Sequence, residues 1–179
     1  ALMDSGLQGA VVALDPATGD VLALVSTPDF DPNALASHDQ QAAFDAFARL
    51  EEASPSPLDN RAIAGGLNYP GSVFKLVTTS AALESGEYTP ESTFANPLTF
   101  TLPGTSTDIS NAEGGNCGGG DTATLATALR LSCNIPFAEL AVEIGSEAIR
   151  VEAEKYGFNR AFPMTSTPEA MLSTPSEYP

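Results

Sequence analysis

Two residues that could act as a nucleophile and its base, Ser72 and Lys75, lie three positions apart. If a helix begins near Gly71, this spacing places both side chains on one face, about one turn apart. An unprotonated lysine amine can take the proton of a serine hydroxyl and so make its oxygen nucleophilic. Residues 76–85 are mostly apolar, and burial in such a helix lowers the pKa of a lysine toward the range of a useful base. A nucleophilic serine is therefore predicted, although Ser-x-x-Lys is a loose pattern that also arises by chance.

The residues around this pair predict how it is positioned. Gly86 follows the apolar run and is expected to end its helix. Pro70 and Gly71 precede Ser72 and suit a helix entrance whose backbone N–H groups can bind an oxyanion.

The elements before this stretch indicate a mixed fold. Residues 9–14 and 20–26 predict a β-hairpin with a bulged turn, and their continuous apolar character predicts that both strands are buried. Phe44, Phe47 and Leu50 predict a helix whose apolar stripe belongs to the core.

The second half of the chain is expected to begin with a long loop. Residues 87–122 carry no strong helix signal, and one short strand is expected within residues 94–102. Asp121 or Thr122 is expected to cap the next helix, and Pro136 is expected to interrupt the helical pattern. Helices are predicted for three segments: residues 124–131, 137–144 and 146–156. Together these elements indicate an α+β fold with an antiparallel sheet and packed helices.

Ser132 and Asn134 fall between two of these helices, where a turn can direct both side chains to one point. A hydroxyl there could relay a proton to a leaving amine, and an amide could hold a substrate amide. Ser-x-Asn is a common sequence, so it indicates a catalytic function only when it is paired with Ser72 and Lys75.

Composition excludes several classes of partner. The 179 residues include 7 basic and 23 acidic side chains and have a net charge of −16, which argues against nucleic acid or an anionic membrane as a partner. The single histidine, His38, and the two cysteines form no metal-ligand pattern, so neither a metal nor a cofactor is expected. No apolar run reaches the length of a membrane span, and whether a leader or anchor has been removed stays open.

The two cysteines allow two readings. Cys117 lies in a glycine-rich loop and Cys133 in a predicted helical segment. A disulfide would pin that loop to the helix, whereas two free thiols are expected of a cytosolic protein. Counting alone slightly favours the thiols.

In this order, the motifs resemble the transpeptidase domain of the larger, cell-wall-building penicillin-binding proteins. The resemblance covers nearly the whole chain and rests on five segments: residues 9–26, 28–33, 60–62, 69–75 and 132–134. The acidic, alanine-rich composition and the two cysteines resemble the actinobacterial members. The resemblance implies the α+β fold shared by penicillin-binding proteins and β-lactamases.

The resemblance also implies a mechanism. Ser72 would attack the penultimate D-alanine carbonyl of a peptidoglycan stem peptide and expel the last D-alanine, with Lys75 as the base. Ser132 would pass the proton to the departing amine, and Asn134 would orient Lys75 and the substrate amide. An amine of a neighbouring stem peptide would then take the acyl group and form a cross-link. β-Lactams would acylate Ser72 and remain attached.

The resemblance further implies a location and a missing part. The site would lie outside the cytoplasm, anchored to the membrane by a segment not in this chain, which favours a disulfide between Cys117 and Cys133 that braces the second motif. The family's third motif, Lys-Thr/Ser-Gly, is absent, since residues 155–157 (Lys-Tyr-Gly) lack the hydroxyl and end a predicted helix. Residues 1–179 are therefore expected to be the N-terminal portion of one catalytic domain, with an incomplete sheet, inactive and poorly stable alone.

Three other functions remain open. A serine β-lactamase shares both motifs, and residues 169–173 (Glu-Ala-Met-Leu-Ser) faintly resemble the segment that carries its deacylating glutamate. A D-alanyl-D-alanine carboxypeptidase would use water as the acceptor in place of an amine. A non-catalytic sensor would bind penicillin without forming a peptide product.

Overall fold

The computed structural model describes residues 6–63, 68–161 and 178. The chain divides into two compact units, one formed by Ala1–Leu67 with Ala161–Thr174 and the other by Asn68–Arg160 with Pro175–Pro179. The predicted α+β composition is confirmed, and the antiparallel pairing is distributed over three two-stranded sheets among the described residues. No helix in these described ranges has the length and apolar character needed to cross a bilayer.

The first unit contains the predicted hairpin. Strand β1 (Gly9–Leu14) pairs antiparallel with β2 (Val21–Thr27), and the register shifts at Ala13/Leu14, as expected of a bulged turn. In the turn, the Asp15 carboxylate accepts a hydrogen bond from the backbone N–H of Ala17 at 2.8 Å, which is the usual stabilisation of an Asx turn.

The predicted burial of this hairpin is wrong. Residues 10–14 and 21–23 are exposed, and Leu14 retains 56% of its accessible surface. Continuous apolar sequence predicts a strand with two covered faces, but within the described residues no third strand joins this sheet. A two-stranded ribbon has too little surface of its own to bury either face.

The helix predicted around residues 44–50 is present as α1 (Gln40–Glu52), but its phenylalanine stripe is not core. Asp39 caps the helix by accepting hydrogen bonds from the N–H groups of Gln41 and Ala42. Phe44 is 68% exposed and Phe47 44% exposed, and the residue that α1 buries is Ala46. Periodicity identifies an apolar side of a helix without specifying what covers it.

The second unit is built on three helices. Helix α2 (Lys75–Glu84) packs against α4 (Asn134–Lys155), and α3 (Leu125–Leu131) contacts both. Gly86, with φ of +75°, follows the end of α2 as predicted. Helix α4 contains the predicted break at Gly145, where φ is +80°.

Pro136 does not interrupt a helix, because it occupies the first turn of α4. Proline is tolerated there, since the N–H group it lacks would have no partner within the helix. The chain instead breaks before Asn134, at Ser132 and Cys133.

The long loop contains more strand than the sequence predicts. Strand β3 (Thr93–Ala95) pairs with β6 (Thr122–Thr124), and β4 (Thr99–Thr101) pairs with β5 (Asp108–Ser110). The helix cap was expected at Asp121 or Thr122, but Thr122 lies in β6 and the cap of α3 is Thr124. Strands of three residues are too short to produce a recognisable alternation.

The core of the second unit connects these pieces. It consists of buried side chains from α2, β3, α3 and α4: Ala82, Phe94, Leu125, Ala128, Cys133, Phe137 and Leu140. Cys133 belongs to this cluster although it lies between the two polar residues of the second motif. The motif is therefore attached directly to the packed core.

Candidate active site

Ser72 lies in a single 3-10 turn, Gly71–Phe74, and Lys75 begins α2. Gly71 has φ of +59°, and no atom lies within 4 Å of a hypothetical β-carbon there, so glycine is required by the backbone conformation and not by crowding. Side chains three residues apart eclipse each other in a 3-10 turn. Ser72 and Lys75 consequently stack more directly than the α-helix predicted from the sequence would place them.

Ser132 is the residue at which α3 ends, and it has φ 56° and ψ 42° in the left-handed region. A residue with a side chain loses about 1–2 kcal/mol in this conformation. The turn is held by the Cys133 N–H, which donates to the Ala128 carbonyl at 2.8 Å, and α4 begins at Asn134. The reversal places the carbonyl and the hydroxyl of Ser132 on the same side as the Asn134 side chain, facing α2.

All four predicted polar residues meet at one atom, the Nζ of Lys75. It donates to the backbone carbonyl of Ser132 at 2.7 Å and to Oδ1 of Asn134 at 2.8 Å. The hydroxyl oxygens of Ser132 and Ser72 lie 3.1 Å and 3.3 Å away. The sequence predicted two local pairs, Ser72 with Lys75 and Ser132 with Asn134, and the fold brings the two pairs together.

The number of donors on Nζ indicates how this cluster can work. A neutral amine has two N–H donors and one lone pair. The Ser132 carbonyl and the Asn134 Oδ1 can only accept, so they use both donors. The lone pair then remains for a proton from a hydroxyl of Ser72 or Ser132. The arrangement suits a general base between two serines.

Burial favours the neutral form, because it lowers the pKa of Lys75 below the ordinary value of a lysine. The Phe137 ring, whose centroid lies 5.7 Å from Nζ, adds apolar surroundings that favour the neutral amine. The ring also attracts the charged ammonium, but this cation–π attraction is the weaker of the two effects. Among the described residues no carboxylate pairs with Lys75.

The other lysine has the opposite environment. Lys155 pairs with Glu84 and with Glu152, and these carboxylates raise its pKa to about 12. It ends α4, as expected for the Lys-Tyr-Gly segment that resembles the third motif only superficially. Lys155 therefore holds two helices together and has no place in the site.

Two residues that support the site were missed by sequence analysis. The Nδ2 of Asn134 donates to the Ser110 carbonyl at 2.9 Å, and its backbone N–H donates to Oδ1 of Asn111 at 2.8 Å. Ser110 ends β5 and Asn111 follows it, in a segment that the sequence predicts to be loop. No pattern in the sequence identifies them, because they act from 23 and 24 positions away.

The disulfide between Cys117 and Cys133 is present, with 5.6 Å between the two α-carbons. The loop around Cys117 is further held by Asn96, a fully buried residue whose Nδ2 donates to the carbonyls of Cys117 and Gly120 at 2.8 Å. The disulfide expected from the family resemblance is confirmed, whereas the slight preference for free thiols from counting alone is wrong. Cys133 is therefore held by its side chain as well as by its backbone N–H.

The sequence profile described as "Penicillin binding protein transpeptidase domain" matches residues 9–170. The chain belongs to the penicillin-binding protein transpeptidase family. The resemblance inferred from the motifs is thereby confirmed, and so is the fold.

Relatives within the transpeptidase family agree with this assignment. The chain is 44% identical over 152 residues to the peptidoglycan D,D-transpeptidase PbpA of Mycobacterium tuberculosis, covering 85% of this chain and 30% of that protein. It is 40% identical to PbpA of Mycolicibacterium smegmatis, covering 87% of this chain and 31% of the relative. The chain thus spans less than a third of these curated relatives.

Solved transpeptidase structures give the same result. The crystal structure of PBPA from M. tuberculosis superimposes with a TM-score of 0.85 and 40% identity, covering 98% of this chain and 40% of that one. The imipenem acyl-enzyme complex of the same protein superimposes with a TM-score of 0.86. Residues 169–173, on which the β-lactamase alternative depends, lie outside the described residues.

Proposed function

We propose that this chain is the N-terminal portion of a peptidoglycan D,D-transpeptidase catalytic domain in which Ser72 forms the acyl-enzyme. The observation that carries the proposal is the convergence of Ser72, Ser132 and Asn134 on Lys75 Nζ at 2.7–3.3 Å. The names of the relatives and the acyl-enzyme complexes of M. tuberculosis PBPA support the same chemistry.

Acylation begins with the transfer of the Ser72 hydroxyl proton to the lone pair of Lys75. The Ser72 oxygen forms a bond to the penultimate D-alanine carbonyl of a stem peptide, and the carbonyl oxygen takes the negative charge. The first backbone N–H groups of the Gly71–Phe74 turn, which have no partner within the helix, are the donors assigned to that oxyanion in this proposal. Collapse of the intermediate breaks the bond to the last D-alanine.

The departing amine needs a proton, and Ser132 is the residue proposed to supply it. Its hydroxyl lies 3.1 Å from Lys75 Nζ, so the proton taken from Ser72 can pass through Ser132 to the leaving nitrogen. Asn134 uses one Nδ2 hydrogen on the Ser110 carbonyl. The other hydrogen is available to a substrate carbonyl.

In the second half-reaction, an amine of a neighbouring stem peptide attacks the ester carbon and forms the new amide while the bond to the Ser72 oxygen breaks. The proton lost by that amine passes through Lys75 to the Ser72 oxygen. A β-lactam follows the first half-reaction but keeps its leaving amine tethered, so it remains on Ser72. The chain spans 30–40% of the M. tuberculosis PbpA sequence and structure that it matches, and we propose that a further segment of the same domain contributes a Lys-Thr/Ser-Gly motif. The proposed location is the outer face of the cytoplasmic membrane, and the membrane anchor belongs to another segment.

The test is covalent labelling of the complete protein with a fluorescent penicillin. Wild type should gain one adduct, Ser72→Ala none, and Ser80→Ala should label normally. Ser80 is a matched control because it lies within α2, outside the turn that carries Ser72, and its hydroxyl bonds to the Tyr156 hydroxyl at 2.7 Å. Labelling of Ser72→Ala would show that the nucleophile lies elsewhere.

The lifetime of the adduct separates the alternatives. A transpeptidase should retain benzylpenicillin for many minutes in an intact-mass time course. Loss within seconds would instead identify a β-lactamase. With a stem-peptide substrate and an amine acceptor, cross-linked product supports the proposal, hydrolysed product alone indicates a carboxypeptidase, and no product indicates a sensor.

A further inference from the structure

Asn111 is a buried polar residue, 7% exposed, directly after β5. Its Oδ1 accepts hydrogen bonds from the backbone N–H groups of Asn134 at 2.8 Å and Ile135 at 3.3 Å. Its Nδ2 donates to the Gly115 carbonyl at 3.0 Å. Each polar atom of the side chain is therefore used, and the acceptor is used on the first turn of α4.

Helix α4 needs this contact, because its own N-cap residue cannot provide it. The N-cap is Cys133, which makes no side-chain capping bond and is joined to Cys117. The first N–H groups of a helix have no partners within the helix and need them from elsewhere. Asn111 supplies an acceptor from a separate segment, in the manner of a local cap residue.

The neighbouring Ser110 also binds Asn134, but through the side-chain amide of Asn134 and not through its backbone N–H. Its carbonyl can only accept, so it takes the Nδ2 of Asn134 at 2.9 Å. That contact fixes the orientation of the amide, which leaves Oδ1 directed at Lys75 Nζ, 2.8 Å away. Asn111 thus binds the backbone N–H of Asn134, and Ser110 binds the side-chain amide of Asn134.

We propose that Asn111 is a positioning residue for acylation, which holds the first turn of α4 so that Asn134 presents its amide oxygen to Lys75. This inference rests on the proposed function, since it concerns the rate at which Ser72 is acylated. Asn111 itself touches neither of the serines nor Lys75 in any described contact. Its effect on the reaction must pass through Asn134.

The test is a double-mutant cycle on the complete protein, read out as the second-order rate constant for acylation by benzylpenicillin. Asn111→Ala is expected to lower this constant about ten- to a hundredfold, as small misplacements of reacting groups do. In an Asn134→Ala background the same change should have almost no further effect, because the residue through which it acts is gone. A merely structural role would lower the rate equally in both backgrounds, and that result would overturn the proposal.

Asn116→Ala is the matched control. Asn116 is a partly buried asparagine of the same loop that donates to the Asn96 and Gly120 carbonyls and makes no contact with Asn134. Its removal should lower the melting temperature while leaving the acylation constant unchanged. An equal loss of acylation in Asn116→Ala would show that loop integrity alone controls the rate, against the proposal.

Asn111→Asp keeps the test decisive if the alanine variant fails to fold. The carboxylate retains the acceptor for both N–H groups of α4, but it replaces the donor to the Gly115 carbonyl by a second acceptor and adds a buried charge. Measured at its own pH optimum, this variant should acylate nearly as fast as wild type, and a rate as low as that of Asn134→Ala would refute the role. Wild type that is never acylated would overturn the proposed function and this inference with it, whereas normal wild-type acylation without coupling would overturn the inference alone.

Discussion

Reduction of the Cys117–Cys133 disulfide is expected to destabilise the protein by about 3 kcal/mol. The two cysteines are 16 positions apart, so the bridge closes a loop of moderate length in the unfolded chain. Loop closure removes entropy mainly from the unfolded state, and for a loop of about 15 residues the chain-entropy estimate is roughly 3 kcal/mol at 25 °C. In a domain of 150–250 residues this corresponds to a fall of roughly 6–12 °C in melting temperature.

The folded state should change much less than the unfolded state. Asn96 continues to hold the Cys117 loop, and Ser110 and Asn111 continue to hold Asn134 without the bridge. Well below the melting temperature, the reduced protein should therefore still be acylated by penicillin. Reduction is therefore expected to lower the melting temperature without abolishing acylation.

The assay is thermal unfolding of the complete protein with and without a phosphine reductant. A Cys117→Ala/Cys133→Ala double variant is the control, because the reductant should leave its melting temperature unchanged. Alkylation of the unfolded, unreduced wild type should modify neither cysteine. Modification of both cysteines would refute the bridge, and a change below about 2 °C on reduction would refute the loop-entropy reasoning.

Two further predictions concern the base and the core. Because burial lowers the pKa of Lys75 and only the neutral amine is a base, acylation should rise with pH through a pKa below the ordinary lysine value. Lys75→Arg should slow acylation by about 10²- to 10⁴-fold in stopped-flow assays. Lys155→Arg is the control and should be acylated at the wild-type rate. If Lys75→Arg were acylated as fast as this control, Lys75 would have no part in the mechanism. Leu140 is fully buried, so Leu140→Ala should cost about 3–5 kcal/mol in denaturant unfolding. Val142→Ala, on the exposed side of α4, should cost much less, and similar losses would contradict the assigned core.

The local patterns predicted most of the elements in the second unit. The apolar run after Lys75, the terminating Gly86 and the break at Gly145 appear in the structure at the expected positions. Each depends on interactions within a few residues, which a linear pattern records. Pro136 was misread because its effect depends on whether it falls in the first turn or in the interior of a helix.

Burial was predicted less well than secondary structure. The hairpin strands and Phe44 have the composition of core residues, yet they are exposed in the described chain. Burial depends on which other surface covers an apolar face, and this information is not contained in the segment itself. The short strands β3 to β6 were mostly missed for a related reason, since their pairing partners decide them.

The residue types and their spacing determined the chemistry: a hydroxyl beside an amine at 72 and 75, a hydroxyl and an amide at 132 and 134, and the family they indicate together. Tertiary structure alone decided that Lys75 Nζ would lie within 3.1 Å of Ser132 and Asn134, beside the Ser72 hydroxyl that local spacing already places near it. It also decided that Asn111 would hold the first turn of α4. Contacts between residues 57 or 59 positions apart depend on how helices pack, and packing is set by the whole chain at once.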